Sequence, residues 1–85
     1  MTREQIRQDI LTKFYQDGIK PGEMLHRIYW SGTYLRNAYS EEKDLFWSVV
    51  ADMIDEGLLE GDSATVSSPY GVNLILSQRG YEYIN

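Results

Sequence analysis

The chain has 85 residues, 42% of them apolar and 25% charged, with a formal net charge of −5, which describes one globular domain spanning residues 1–85. It contains no cysteine, which excludes disulfides and thiolate metal sites. The N-terminal stretch MTREQIRQDI is polar, and no run approaches the roughly 20 apolar residues a membrane span needs, so the expectation is a soluble, cytoplasmic protein.

A first helix is expected from about Arg3 to Asp17. Thr2 with Gln5 three residues later is a capping-box pattern. Ile6, Ile10, Leu11 and Phe14 fall near one helix face, and Gly18 supplies the stop. Ile19-Lys20-Pro21-Gly22 reads as a turn. A second helix then starts near Glu23 and carries Met24, Leu25 and Ile28 inward. Residues 31–39, SGTYLRNAY, read either as a loop or as one more helical turn capped by Thr33.

The third helix has the clearest pattern. Ser40 is its expected N-cap, and Glu41, Glu42 and Asp44 sit in the first turn, where the helix dipole favours negative charge. At 100° per residue Phe46, Val49, Val50 and Met53 point one way, flanked by Leu45 and Ile54. Asp44, Ser48, Ala51, Asp52 and Asp55 take the opposite face. Gly57 ends the helix, and Leu58-Leu59 return the chain to the core. Ala64-Thr65-Val66-Ser67 and Val72-Asn73-Leu74-Ile75-Leu76 have β character, with Pro69-Tyr70-Gly71 between them as turn residues. Ser77 caps a short final helix that seats Tyr81 and Ile84. The expected core is Ile10, Phe14, Leu25, Ile28, Phe46, Val49, Val50, Met53, Leu58, Leu74 and Leu76.

The charges are unevenly spread. Residues 1–40 hold six Lys/Arg against four Asp/Glu, whereas residues 41–62 hold one Lys against eight Asp/Glu. A negative block this dense repels phosphate and favours basic or hydrogen-bond-donating partners. It is equally the solvated face that keeps a small domain soluble.

Catalytic patterns are missing. His26 is the only histidine, and the sequence has neither a Gly-x-Ser-x-Gly elbow nor a glycine-rich phosphate loop. Asp52-x-x-Asp55-Glu56 places carboxylates on one helix face, but no histidine or third placed ligand completes a metal site. Glu60-Gly61-Asp62-Ser63 reads as a turn, since a calcium loop needs about twelve residues with alternating oxygen ligands. A non-enzymatic protein without cofactor or metal is the expectation.

A capped amphipathic helix, a Gly-Leu-Leu exit, a β-hairpin and the closing run Leu-Ser-Gln-Arg-Gly-Tyr-Glu-Tyr-Ile together resemble the back half of a winged helix-turn-helix domain. The resemblance covers residues 40–85 and extends to the first helix. It implies an α+β fold of three helices, a two-stranded β-hairpin wing and a short C-terminal helical turn. In DNA-binding members of that family the third helix enters the major groove and the wing tip touches the backbone. Carried to this chain, the reading positions become Asp44, Ser48, Ala51, Asp52 and Asp55. That face lacks the Arg, Lys, Asn and Gln that read bases and neutralise phosphates, and Ser67-Ser68-Pro69-Tyr70-Gly71 at the wing tip has no basic residue. The gap between Trp30 and Ser40 is also longer than the usual 3–4-residue turn of such motifs.

Three functions follow as expectations. The first is a regulator or adaptor that binds a protein partner through Asp44, Ser48, Asp52 and Asp55, or through the aromatic stretch Tyr29, Trp30, Tyr34 and Tyr39. The aromatics have a plainer reading as core residues. The second is a DNA-binding transcriptional regulator that uses Lys20, His26, Arg27 and Arg36. The third is an acidic inhibitor that imitates nucleic-acid charge against a basic protein. The oligomeric state is left open.

Overall fold

The computed structural model describes residues 1–25, 29–66 and 72–85. The fold is α+β. Helix α1 spans Arg3–Gln16, strand β1 Met24–Leu25, a π-helical turn Trp30–Tyr34, and helix α2 Ser40–Asp55. Strand β2 (Leu59–Glu60), a 3₁₀ turn (Ser63–Thr65), strand β3 (Leu74–Leu76) and helix α3 (Gln78–Ile84) complete it. The sheet is antiparallel in the order β1-β3-β2, with Leu25 opposite Leu74 and Leu59 opposite Leu76. Among the described residues no helix is long and apolar enough to cross a membrane.

Helix α1 starts where its cap pattern places it. The Thr2 side chain accepts from the Gln5 N–H at 3.1 Å. Ile6, Ile10, Leu11 and Phe14 are buried along the face that packs on α2. The start expected for a second helix near Glu23 is not found, because Met24 and Leu25 form strand β1 instead. Their backbone is recruited by β3. The Gly22 N–H donates to the Leu76 carbonyl at 2.8 Å, and the Leu76 N–H donates to the Glu23 carbonyl at 3.0 Å. Met24 faces out and Leu25 in, the alternation of a strand. Ile28 lies outside the described residues.

The two alternatives for residues 31–39 resolve into a helical turn that begins earlier, at Trp30 rather than at a Thr33 cap. Its Leu35 N–H reaches back to the Trp30 carbonyl at 2.7 Å, the wide ring of a π-turn. The turn places Trp30 in the middle of the core. Around it lie Tyr29 at 4.8 Å between ring centroids, Tyr34 at 5.3 Å and Phe46 at 5.3 Å. The Tyr29 and Tyr34 contacts are edge-on, the geometry that ring quadrupoles prefer. Trp47 packs edge-on against Phe46 at 4.8 Å.

Helix α2 begins one residue earlier than expected. Tyr39, not Ser40, takes the extended N-cap conformation, and the Glu42 carboxylate accepts from the Tyr39 N–H at 3.1 Å. Phe46, Val49, Val50 and Met53 are buried as the periodicity requires, joined by Trp47. The helix ends at Gly57, whose φ of 81° is a left-handed conformation natural to glycine. The Leu58 N–H then donates to the Met53 carbonyl at 2.9 Å, and Leu58 and Leu59 turn into the core.

The wing differs from the expected hairpin. β3 pairs on both sides, so the expected two strands become a three-stranded sheet. Residues 64–66 do not form its first strand; Leu59–Glu60 do. Local bonds favour a 3₁₀ turn at Ser63–Thr65. The Asp62 carboxylate accepts from the Ala64 N–H at 3.0 Å, and the Thr65 hydroxyl donates to the Asp62 carbonyl at 2.7 Å. Ser67 and the turn residues Pro69-Tyr70-Gly71 lie outside the described residues.

Ser77 caps α3 by accepting from the Gly80 N–H at 2.9 Å. Its hydroxyl also donates to the Gly57 carbonyl at 2.5 Å, which joins the end of α2 to the start of α3. Gly80 presses on this junction. A Cβ there would overlap the Leu58 carbonyl oxygen and come within 2.9 Å of Leu76 Cδ1.

Two stability outcomes follow. Phe46→Ala is expected to cost about 3–5 kcal/mol, because it empties the centre of the aromatic cluster. Helix propensity alone would make Gly80→Ala stabilising by about 1 kcal/mol. The overlap with a carbonyl that already accepts from the Ser77 N–H reverses that sign. Urea unfolding should therefore show lowered midpoints for both variants, and a raised midpoint for Gly80→Ala would mean that α3 does not pack on Leu58.

Candidate functional site

The amphipathic pattern of α2 turns Asp44, Ser48, Asp52 and Asp55 to solvent, with Ala51 partly covered among them. This is the acidic stripe the sequence predicts. Its surroundings are not predicted. Helix α1 lies along one flank and sets two arginines against it. Arg3 forks across the stripe, donating through Nη1 to Ser48 Oγ at 3.1 Å and pairing through Nη2 with Asp52 Oδ2. Arg7 pairs with Glu56 one turn further on.

The stripe is thus divided. Asp52 and Glu56 are neutralised within the chain, while Asp44 and Asp55 form no ion pair with any described residue. The hydrogen bond that Arg7 donates to Glu56, followed by burial acting in the opposite direction, leaves the Arg7 pKa above its ordinary value, so its charge is secure. The Arg7 guanidinium also sits 6.0 Å from the Tyr83 ring centroid.

Arg3 and Arg7 were not among the residues that sequence reasoning selected, and Glu56 entered it only beside Asp52 and Asp55 as a carboxylate set short of a metal site. The signal for them was present. Arg3 and Arg7 are four apart on α1, and Asp52 and Glu56 are four apart on α2. Two helices that pack side by side bring two such ladders into register.

The aromatic stretch separates into different roles. Trp30 is 0% exposed and cannot serve as a surface contact; it is a core residue. Tyr29 and Tyr34 are partly buried against the same core. The Lys13 ammonium sits 4.4 Å from the Tyr29 ring centroid, and the Tyr34 hydroxyl donates to Asp9 Oδ2 at 2.5 Å. Burial, then this hydrogen bond, raise the Tyr34 pKa well above its ordinary value near 10. Tyr39 is 75% exposed, at the N-terminal end of the stripe.

Of the basic set, Lys20 and Arg36 are exposed, while His26 and Arg27 lie outside the described residues. The Lys20 N–H donates to the Glu23 carboxylate at 2.8 Å, which places an acidic group beside that lysine's backbone. Arg3, Arg7 and Lys13, three of the six cations in residues 1–40, are held by Asp52, Glu56 and Asp17.

An open groove of about 280 Å³ is lined by Arg3, Glu4, Arg7, Val49, Asp52 and Glu56. One of about 460 Å³ lies at the C-terminal end of the stripe and is lined by Arg7, Asp55, Glu56, Leu58, Arg79 and Tyr83. A further one of about 440 Å³ lies away from the stripe, between α1 and α3. No protein-family model matches the chain, and comparisons with curated proteins and with solved structures return no match.

The Tyr34–Asp9 contact generates a pH prediction. The unfolded tyrosine releases its proton near pH 10, while the folded one retains it. The stabilisation is therefore complete below about pH 10 and declines as pH rises beyond it. Tyr34→Phe should make the alkaline loss of stability shallower. Urea midpoints measured from about pH 9 to about pH 12 check this. Identical pH dependence in both proteins would place the Tyr34 hydroxyl in solvent.

Proposed function

We propose that the chain is a small winged-helix regulator or adaptor that acts by binding a basic protein partner through the acidic stripe of α2. The fold-level support is the arrangement around α2. It follows a helical turn, exposes one stripe, ends at Gly57, and is succeeded by the antiparallel strands β2 and β3 and a short capped helix. That arrangement resembles the third helix, wing and closing turn of a winged helix-turn-helix domain.

One observation carries the functional reading. The stripe already holds a guanidinium group. Arg3 bridges a hydroxyl and a carboxylate one helical turn apart, and beside that clasp Asp44 and Asp55 stay exposed without an ion pair among the described residues. A partner that presents arginine or lysine meets carboxylates at this face. A phosphate backbone meets like charge, on the order of 1 kcal/mol per pair at 4 Å in bulk water and more when desolvated. Intramolecular pairing of Arg3, Arg7 and Lys13 also reduces the positive surface that DNA binding through the N-terminal half would use. The role proposed is binding, not catalysis.

The test titrates the chain with an arginine-rich peptide and, separately, with duplex DNA, each across a salt series. Peptide binding should weaken as salt rises, and Asp44→Asn with Asp52→Asn and Asp55→Asn should lower affinity and slow association. Loss of the Arg3–Asp52 pair should cost the fold less than about 1 kcal/mol, because both side chains are about half exposed. DNA binding with a steep salt slope would instead support the N-terminal basic residues. A sequence-specific DNA complex lost on Asp52→Asn would overturn the proposal.

A further inference from the structure

Arg3 and Arg7 lean on the same helix but are held differently. The Arg7 side chain is 23% exposed, pairs with Glu56 and also bonds the Tyr83 hydroxyl. The Arg3 side chain is 49% exposed and pairs with an Asp52 carboxylate that is itself 55% exposed. Arg3 is the first residue of α1, in the turn where a helix frays. The docking of α1 does not depend on it, because Ile6, Ile10, Leu11 and Phe14 bury the inner face and Thr2 caps the helix. An ion pair this exposed is weak. Arg3 is therefore the exchangeable one of the two arginines.

The place that Arg3 occupies suits a guanidinium. Nη1 donates to Ser48 Oγ at 3.1 Å while Nη2 pairs with Asp52 Oδ2. Ser48 and Asp52 lie one turn apart on α2, and a planar fork with separated donors spans both. A lysine ammonium gathers its donors at one point. Asp44 and Asp55 stand at either side of this clasp with no ion pair among the described residues. We propose that Arg3 is a resident stand-in for an arginine of the basic partner, which takes over the Ser48–Asp52 clasp by displacing it. The proposal rests on the reading of the stripe as the partner's docking face. Exchanging one guanidinium for another is close to neutral. The drive comes from Asp44 and Asp55, which further cations of the same partner meet and Arg3 leaves open. Arg3 thus sets a threshold that a partner with several basic groups crosses and a single cation does not.

Calorimetric titration of the full chain with a hexa-arginine peptide at low salt tests this. Arg3→Gln should bind the peptide roughly two- to fivefold more tightly than the wild type, the range of a weak exposed pair. Arg3→Lys should fall between the two. Lys13→Gln removes the same charge from α1 but frees Asp17 rather than the stripe, so it should gain less. The urea midpoint of Arg3→Gln should stay close to that of the wild type. A hexa-lysine peptide should bind Arg3→Gln more weakly than hexa-arginine does. In isotope-labelled wild-type chain, unlabelled hexa-arginine should move the Arg3 Nε–H resonance toward that of a solvated arginine while the Arg7 resonance stays in place. The proposal is overturned by equal affinity of Arg3→Gln and the wild type, by an equal gain in Lys13→Gln, by equal affinity for hexa-lysine, or by an Arg3 resonance that stays in place at saturation. In those cases a loss of peptide affinity in Asp44→Asn with Asp55→Asn keeps the stripe as the docking face. A peptide that binds none of these proteins overturns both.

Discussion

The end of α2 and the start of α3 are tied at one point, and the sheet is built around that tie. Gly57 reverses the chain, and its carbonyl accepts from the Ser77 hydroxyl. The Leu58 carbonyl accepts from the Ser77 N–H at 3.3 Å, and the same serine oxygen caps α3. Gly80 packs against that Leu58 carbonyl with no room for a side chain. Leu59 then pairs with Leu76, the residue before Ser77. A few hydrogen bonds therefore join the end of α2 to β3 and α3.

The packing of α1 on α2 decides the electrostatics. In sequence, residues 1–40 and 41–62 form a positive block and a negative block. In space they adjoin along the α1–α2 contact, where Arg3 and Arg7 lie against Asp52 and Glu56. Exposed pairs of this kind contribute little to stability, typically below about 1 kcal/mol each. Their larger effect is on the surface potential: they shorten the uncompensated part of the acidic stripe to Asp44 and Asp55 and remove two cations from the basic half.

The aromatic residues follow the same logic. Tyr29, Trp30 and Tyr34 read in sequence as either a binding patch or a core. The π-turn rotates Trp30 inward, and Phe46 from α2 meets it. The indole Nε1 is left without a hydrogen-bond partner among the described residues. An unsatisfied buried donor costs about 1–3 kcal/mol. Ring packing and the burial of a large apolar surface oppose that cost. Tyr39, five residues past the turn, is the one aromatic of that set left at the surface.

What the sequence determined by itself was set by local rules. The caps at Thr2 and Ser77, the buried face of α2, the reversal at Gly57 and the exposure of Asp44, Ser48, Asp52 and Asp55 all follow from spacing within one element. Phe14, Leu25, Phe46, Met53, Leu74 and Leu76 are buried as their pattern implies. The tertiary structure decided what depends on residues far apart in sequence. Met24 and Leu25 became a strand because β3, about 50 residues later, supplied their backbone partners. The first wing strand moved to Leu59–Glu60 because Leu76 lay opposite Leu59, while Asp62 held the following residues in a turn. Trp30 entered the core because α2 brought Phe46 to it. Asp52 acquired its arginine because two helices packed side by side. Periodicity within one element tells which face is buried, but it carries no information about which neighbour covers it or which charge that neighbour brings.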